Sequence, residues 1–420
     1  MMKPLSVIYS TGHGILHFMQ SVPAAKARGV RVKVITGWVP SPGFPMKWVD
    51  RMGKLIGRKN LSAGLSRRRP KGLDSEEVYS CGRSEFLVQL LFKLSTFKLL
   101  KRDVSARWGW SAFGTQSKQF IRDADIFHVR SGAGHGGAIA RARKMGMKIV
   151  VDHSIAHPVE MDSQLGKVQH RNGLEPDKYI STTPSGPFWQ MVVEDCRQAD
   201  VLLVNSDYVK DTFVGQGFSP DKIRVVHWGI DQSFYSLKNT YRIKGPVKLI
   251  FTGGFGSRKG GTLIINAVQR LMDQGIDFTL EIAGSITGDI PIPEWFMTSP
   301  RVIFHGHKPH SELKELLAAA DIYIFPTYVE GSAQSVKEAM AVGLPVITTR
   351  QSGAPIEDGF SGCYIKDDDE QALADAIVHL AGNEALRTKM GIGAKETIAR
   401  EHTWARYAES LLAEYHKVLS

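Results

Sequence analysis

Residues 320–349 read ADIYIFPTYVEGSAQSVKEAMAVGLPVITT. An apolar run ending at Pro326 leads into a loop of small residues, then a helical pattern, then a second apolar run, LPVITT. This is one strand–loop–helix–strand unit, and its strands are apolar throughout rather than alternating, the pattern of a parallel sheet covered on both faces. The unit recurs along the chain. LSVIYS (5–10), VRVKVITG (30–37), ADIFHVR (124–130), MKIVVD (147–152), ADVLLVNS (199–206) and KIRVVHWG (222–229) read as strands of the first half. VKLIFTGG (247–254), FTLEIAG (278–284) and RVIFHG (301–306) join the two opening runs in the second half. Between the halves lies the polar segment SLKNTYRIKGP (236–246), a natural linker. The expected fold class is therefore α/β, two doubly wound Rossmann-like domains facing each other across a deep cleft, spanning residues 1–240 and 245–400. A final amphipathic helix, 403–420, is expected to pack back on the first domain, while residues 40–120 carry no clear assignment.

A chain of 420 residues has room for two such domains, and 43% hydrophobic with 23% charged residues lies in the globular range. Cys81, Cys196 and Cys363 are odd in number and scattered, which fits neither a disulfide framework nor a zinc site and points to a reducing, cytoplasmic compartment. No apolar run reaches the roughly 18 residues of a membrane span, and MMKPLSVIYSTGHG reads as a first buried strand rather than a leader. The net charge of +11 is concentrated: residues 1–72 hold fourteen Lys and Arg against the single acid Asp50. Its densest part, RMGKLIGRKNLSAGLSRRRPKG (51–72), suits an anionic membrane surface or a phosphate-bearing acceptor, against the plainer alternative of a solvated loop. Without interleaved aromatics or an RNA motif, nucleic acid is not an expected partner.

In such sheets ligands bind beyond the carboxyl ends of strands. After the first strand, STGHGILHF (10–18) offers Gly12 and Gly14 for close backbone approach. The equivalent loop of the second half, GGFGSRKGG (253–261), has the wrong spacing for a dinucleotide fingerprint and lacks the Gly-Lys-Ser/Thr of a P-loop. It is a glycine-rich turn, with Gly254 at its start, that presents Arg258 and Lys259 at a helix N-terminus, a combination suited to a diphosphate. The histidines at 13/17, 153/157 and 305/307/310 form no H-E-x-x-H and have no acid or cysteine to complete a ligand set, so no metal is expected. The pair in VVDHSIAHP (150–158) follows a buried strand at the cleft edge, where His153 either faces a substrate or is a satisfied structural histidine.

EGSAQSVKEAMAVGLPVITTRQSGAPIEDGFSGCYI (330–365), together with GGFGSRKGG and ADVLLVNSDYVKDTF, resembles the retaining glycosyltransferases of family four, which have the GT-B fold. The resemblance covers most of the chain outside 40–120. It implies a nucleotide-sugar donor in the second domain and an acceptor-side first domain. Glu338 would hold the ribose hydroxyls and Glu330 would reach the transferred sugar. Gly331, Ser332, Ala333, Gln334 and Ser335 would offer backbone N–H groups to sugar and phosphate. Arg258 and Lys259 would neutralise the diphosphate, and His153, with His157 as the alternative, would sit near the sugar. It also implies transfer with retained anomeric configuration, no cofactor and no divalent metal, because cations and a helix dipole meet the charge that grows on the leaving phosphate. Two positions depart from the family pattern. Gly253-Gly254-Phe255 stands where an Arg is common, and Ser332-Ala333 where Phe-Gly is common. The expected setting is cell-surface polysaccharide, lipopolysaccharide or glycolipid synthesis on a glycan or lipid-linked acceptor, at the inner face of the membrane. The competing readings are a phosphorylase or epimerase on the same fold, and a non-catalytic basic membrane- or nucleic-acid-binding protein.

Overall fold

The computed structural model of the chain describes residues 4–14, 17–41, 44, 49–51, 65, 68–70, 72–173 and 184–420. Among the described residues thirteen strands form two wholly parallel sheets. The first contains β1 (Ser6–Ser10), β2 (Arg31–Thr36), β3 (Val78–Ser80), β4 (Ile126–Arg130), β5 (Lys148–His153), β6 (Val201–Val204) and β7 (Ile223–Val225), in the order β3-β2-β1-β4-β5-β6-β7. The second contains β8 (Val247–Thr252), β9 (Phe278–Ala283), β10 (Val302–Gly306), β11 (Ile322–Phe325), β12 (Val346–Thr349) and β13 (Cys363–Ile365), in the order β10-β9-β8-β11-β12-β13. In both halves the order reverses beside the first strand of the sheet, which is the switch point where α/β sheets open a crevice. Every strand expected from the sequence is present. The two that were not expected, β3 and β13, are three-residue edge strands with little fully buried apolar surface.

The central strands are buried on both faces, as continuous apolar runs require: β1 reads buried along its whole length, as do β6, β11 and β12. Phe251, Phe255, Ile282, Tyr323 and Phe325 anchor the second core, each such side chain contributing roughly 1.5–3 kcal/mol by leaving water. Residues 82–117 form two packed helices, Gly82–Thr96 and Arg102–Ser117, inserted between β3 and β4. The final helix, Trp404–Leu419, lays Tyr407, Leu411 and Tyr415 against Val7, Tyr9 and Val34 of the first sheet, and the Tyr415 hydroxyl meets His128 Nδ1 at 2.6 Å.

The halves touch through helix Pro158–Asn172, which leaves β5 and reaches across. Its Arg171 donates to Glu370 (2.8 Å) and to the carbonyl of Asp368 (2.8 Å), and its Lys167 pairs with Asp367. Met161 and Leu165 pack with Ala156 on Val329 of the second half. Gly331 matters here for closeness rather than flexibility: a Cβ at this position would lie 1.8 Å from the Ser154 carbonyl oxygen. The loop after β11 is thereby pressed against the end of β5.

Candidate active site

In the second half, β8 ends at Thr252 and the chain turns through Gly253, whose φ of +121° an L side chain seldom adopts. A Cβ there would also stand 2.8 Å from Lys259 Nζ. The close approach thus belongs to Gly253, whereas Gly254 only neighbours Thr287. A 3-10 turn, Ser257–Lys259, precedes helix Gly261–Asp273. Arg258 Nη1 donates to Glu330 Oε1 (2.7 Å) and to the carbonyl of Val329 (2.8 Å). Lys259 Nζ lies 3.6 Å from the same carboxylate oxygen and 5.2 Å above the Phe325 ring. The Arg258 carbonyl in turn accepts from Tyr328 N and Thr327 Oγ1, so backbone bonds fix one loop to the other. Two cations and a carboxylate share one spot, half-buried. Burial pushes the Lys259 ammonium down from its ordinary value, with Glu330 opposing the shift.

Helix Gln334–Val342 follows with no side chain capping its N-terminus. Its entry is thus left without a side-chain cap among the described residues, at the positive end of the helix dipole. Ser332 and Ala333 are buried at this entry, and the Gln334 amide nitrogen is buried without a partner. Ser335 meets the Tyr323 hydroxyl. One turn in, Glu338 makes no hydrogen bond or ion pair among the described residues, and burial pushes its carboxyl up to about 7 against the pull of Lys337. Lys337 itself is fully buried, donates to the Trp228 carbonyl (3.2 Å) and is pushed down to about 7 by burial.

Across the cleft, His153 closes β5. Its Nδ1 meets Ser131 Oγ at 2.8 Å while Nε2 is buried and unpartnered. Burial pushes its pKa down to about 3, leaving a neutral ring at ordinary pH. His153 and Ser154 line a cavity of about 240 Å³, walled by Trp110, Arg130, Ser131 and Trp189. Ser154 is the residue whose carbonyl abuts Gly331, so this cavity borders the Glu330–Gly331 loop. His157 is placed differently. Its Nδ1 accepts from Val159 N at the start of helix Pro158–Asn172, its ring packs on Phe213 and Phe218, and it lines a separate recess with Trp189 and Arg197. Gly12 backs the wall of the first cavity, a Cβ there falling 2.4 Å from the Trp110 ring, whereas Gly14 has no atom in its way.

The structure thus brings Arg258, Lys259, Glu330 and the entry to helix Gln334–Val342 together, with His153 on the facing wall. Arg130, Trp110 and Trp189 were not singled out from the sequence; Arg130 had a signal, since it ends the strand ADIFHVR at the ligand-binding edge. Among the described residues no group of three His, Cys, Asp or Glu is arranged to hold a metal, and no helix is long and apolar enough to cross a membrane. The basic segment 51–72 lies largely outside the described residues, which omit 52–64, 66–67 and 71; of its cations, Arg68 pairs with Glu85.

Two family models match the chain: Glycosyltransferase Family 4 over residues 78–234 and Glycosyl transferases group 1 over residues 246–383. A putative colanic acid biosynthesis glycosyltransferase of Salmonella typhimurium is 30% identical over 196 residues, 44% of this chain and 48% of that protein. A D-inositol 3-phosphate glycosyltransferase of Corynebacterium glutamicum is 31% identical over 244 residues, 53% of this chain and 58% of that one. The chain thus spans about half the length of the curated relatives it matches. Among solved structures, an Anabaena protein crystallised in complex with UDP-glucose superposes with a TM-score of 0.58 at 13% identity, over 98% of this chain and 100% of that one, a likeness of fold. With one model on each half and two facing parallel sheets between them, the chain belongs to the family-4 type of GT-B glycosyltransferases.

Proposed function

We propose that the chain transfers a sugar from a nucleoside diphosphate donor to an acceptor hydroxyl, with retention at the anomeric carbon and without a divalent metal. One observation carries this reading. Arg258 and Lys259 stand beside the uncapped N-terminus of helix Gln334–Val342, with an unpaired Glu338 one turn inside it. Cations and N–H groups suit the diphosphate, and an unpaired carboxylate suits a vicinal pair of ribose hydroxyls. The bond from C1 to the phosphate oxygen breaks while the acceptor oxygen bonds C1 on the same face. The acceptor proton passes to the departing phosphate oxygen, whose growing charge Arg258, Lys259 and the helix dipole are preorganised to meet. Glu330, held between the cations, faces the transferred sugar, and neutral His153 orients that sugar from the opposite wall rather than attacking it. A phosphorylase or epimerase would not need acceptor-coupled release of nucleoside diphosphate.

The setting we propose is assembly of a surface polysaccharide, lipopolysaccharide or glycolipid at the cytoplasmic face of a membrane. The Salmonella relative is a glycosyltransferase of colanic acid biosynthesis by its name. Association with an anionic surface draws further support from helix Gly82–Thr96, whose Phe86 and Leu90 are exposed beside Lys93.

Screening nucleotide sugars by thermal shift tests the donor reading, since a bound donor stabilises the protein by mass action. Uridine sugars are the first to try, given the UDP-glucose of the Anabaena neighbour. At least one nucleotide sugar is expected to raise Tm and to yield, with an acceptor, a product of unchanged anomeric configuration by NMR. No shift with any nucleotide sugar, or an inverted product, would contradict the proposal.

A further inference from the structure

The cavity beside His153 is walled by two guanidinium groups, and no carboxylate lines it. Arg130 ends β4 with its guanidinium 4.9 Å from the Trp110 ring centre, and it forms no hydrogen bond or ion pair among the described residues. The nearest acid to act on it is Asp152, whose own carboxylate lies 3.7 Å from His128. Burial pushes this guanidinium down to about 10, with Asp152 opposing the shift, so it stays charged at ordinary pH. Arg102 opens helix Arg102–Ser117 from the other side, its guanidinium 5.2 Å from the Phe92 ring centre, again with no ion pair among the described residues. Between them Ser131 and the unpartnered Nε2 of a neutral His153 supply polar contacts, and Trp189 adds an aromatic wall.

Arg130 is only half-buried at the cavity wall, so its guanidinium faces whatever enters the cavity while no acid of the described residues pairs with it. A structural reason for Arg130 would be its stack on Trp110, but a neutral side chain would fill that space without the charge. A planar guanidinium pre-oriented by an aromatic ring is instead suited to grip a phosphate or carboxylate through two parallel hydrogen bonds. We infer that the acceptor carries an anionic group, phosphate or carboxylate, which binds Arg130 and Arg102 in the His153 cavity while its ring or apolar part lies on Trp110 and Trp189. This rests on the reading of the chain as a sugar transferase and adds the chemical class of the acceptor to it. The reacting hydroxyl is then one that reaches from this cavity past Ser154 toward the Glu330–Gly331 loop.

The test is calorimetric titration of the UDP-loaded protein with glucose, glucose 6-phosphate, glucuronate and soluble short-chain phosphatidylinositol. UDP binding itself serves as the control for the donor side. At least one anionic probe is expected to bind about tenfold or more tighter than glucose. R130M and R102M should each weaken that probe by about tenfold while leaving UDP affinity as it was, tenfold being about 1.4 kcal/mol. Affinity should also fall with added salt, as for any charge-assisted contact. Tighter binding of the phosphatidylinositol assigns the anion to a lipid headgroup; tighter binding of glucose 6-phosphate or glucuronate assigns it to a soluble or polymer-borne sugar. Glucose binding as well as every anionic probe, or both variants binding all probes like the parent, would overturn the inference. Should R130M fail to fold, the surface variant R102M and the salt dependence still decide. If UDP binds and a neutral acceptor is glycosylated, the transferase reading stands and this inference falls. If anionic probes bind and no nucleotide does, the reverse holds.

Discussion

At the residue scale, Glu338 carries the sharpest consequence. Its carboxyl is pushed up to about 7 by burial and makes no hydrogen bond or ion pair among the described residues, so below pH 7 it is largely protonated. Ribose hydroxyls donating to it favour the ionised form. Donor binding at or below pH 7 therefore releases a proton, and donor affinity should rise with pH and level off above 7. Below it, affinity should fall by up to about tenfold per unit. A nucleotide sugar is the ligand to use, because its diester phosphates do not titrate in this range. Titration calorimetry in buffers of different ionisation enthalpy measures the released proton, and E338Q should abolish it; a pH-independent affinity from 6 to 8 would remove the ribose role. His153 contributes nothing in that window, since burial holds it near 3 and the ring stays neutral throughout. Arg258, Lys259, Glu330 and Glu338 were legible in the sequence because each lies in a short local pattern. Gly253 was not distinguishable from Gly254, because a φ of +121° has no signature within a Gly-Gly pair. Arg130 and Trp110 escaped because the ring and the cation meet only after residues 82–117 fold over β4.

At the element scale, strands were read wherever an apolar run was long enough to be buried on both faces. β3 and β13 were lost for the converse reason, being three-residue edges with little fully buried apolar surface, and β3 also lies far along the chain from its partner β2. Helix Gly82–Thr96 shows the limit of periodicity. The run FLVQLLFKLSTFKLLKR fits a core-facing helix as well as an interfacial one, and in the fold it is partly both. Val88 and Leu91 are buried, while Phe86 and Phe97 are 75% and 65% exposed, beside Lys93, Lys98 and Lys101. An apolar stripe flanked by cations suits the headgroup region of an anionic bilayer. Cosedimentation with liposomes containing phosphatidylglycerol is expected at low salt and should weaken as salt rises. The double variant F86S/F97S should lose at least about half of the bound protein, exposed Phe being the insertable part. Binding equal to the parent would assign the surface charge to 51–72 instead.

At the scale of the whole molecule, the two sheets present different chemistry to one cleft. The second half contributes cations, an uncapped helix and the two glutamates; the first contributes a neutral histidine and a cavity walled by arginine and tryptophan. Gly331 against Ser154, Ser206 Oγ donating to the Gly331 carbonyl at 2.5 Å, and Arg171 with Glu370 hold the halves at the distance this requires. Fold class and both halves were legible because each repeats the same buried-strand rhythm. The contacts between them were not, since they depend on which loop meets which across the cleft. In the mechanism we propose, positive charge from the second half stabilises the departing diphosphate in place of a metal. The most direct measurement of this is turnover of K259A in the presence of chelator, followed as acceptor-dependent release of nucleoside diphosphate from the donor identified by thermal shift. Loss of a preorganised charge at the leaving group is expected to lower kcat by roughly 10²–10³-fold with donor binding weakened far less. Turnover of K259A within about threefold of the parent, or a parent enzyme silenced by chelator, would contradict it.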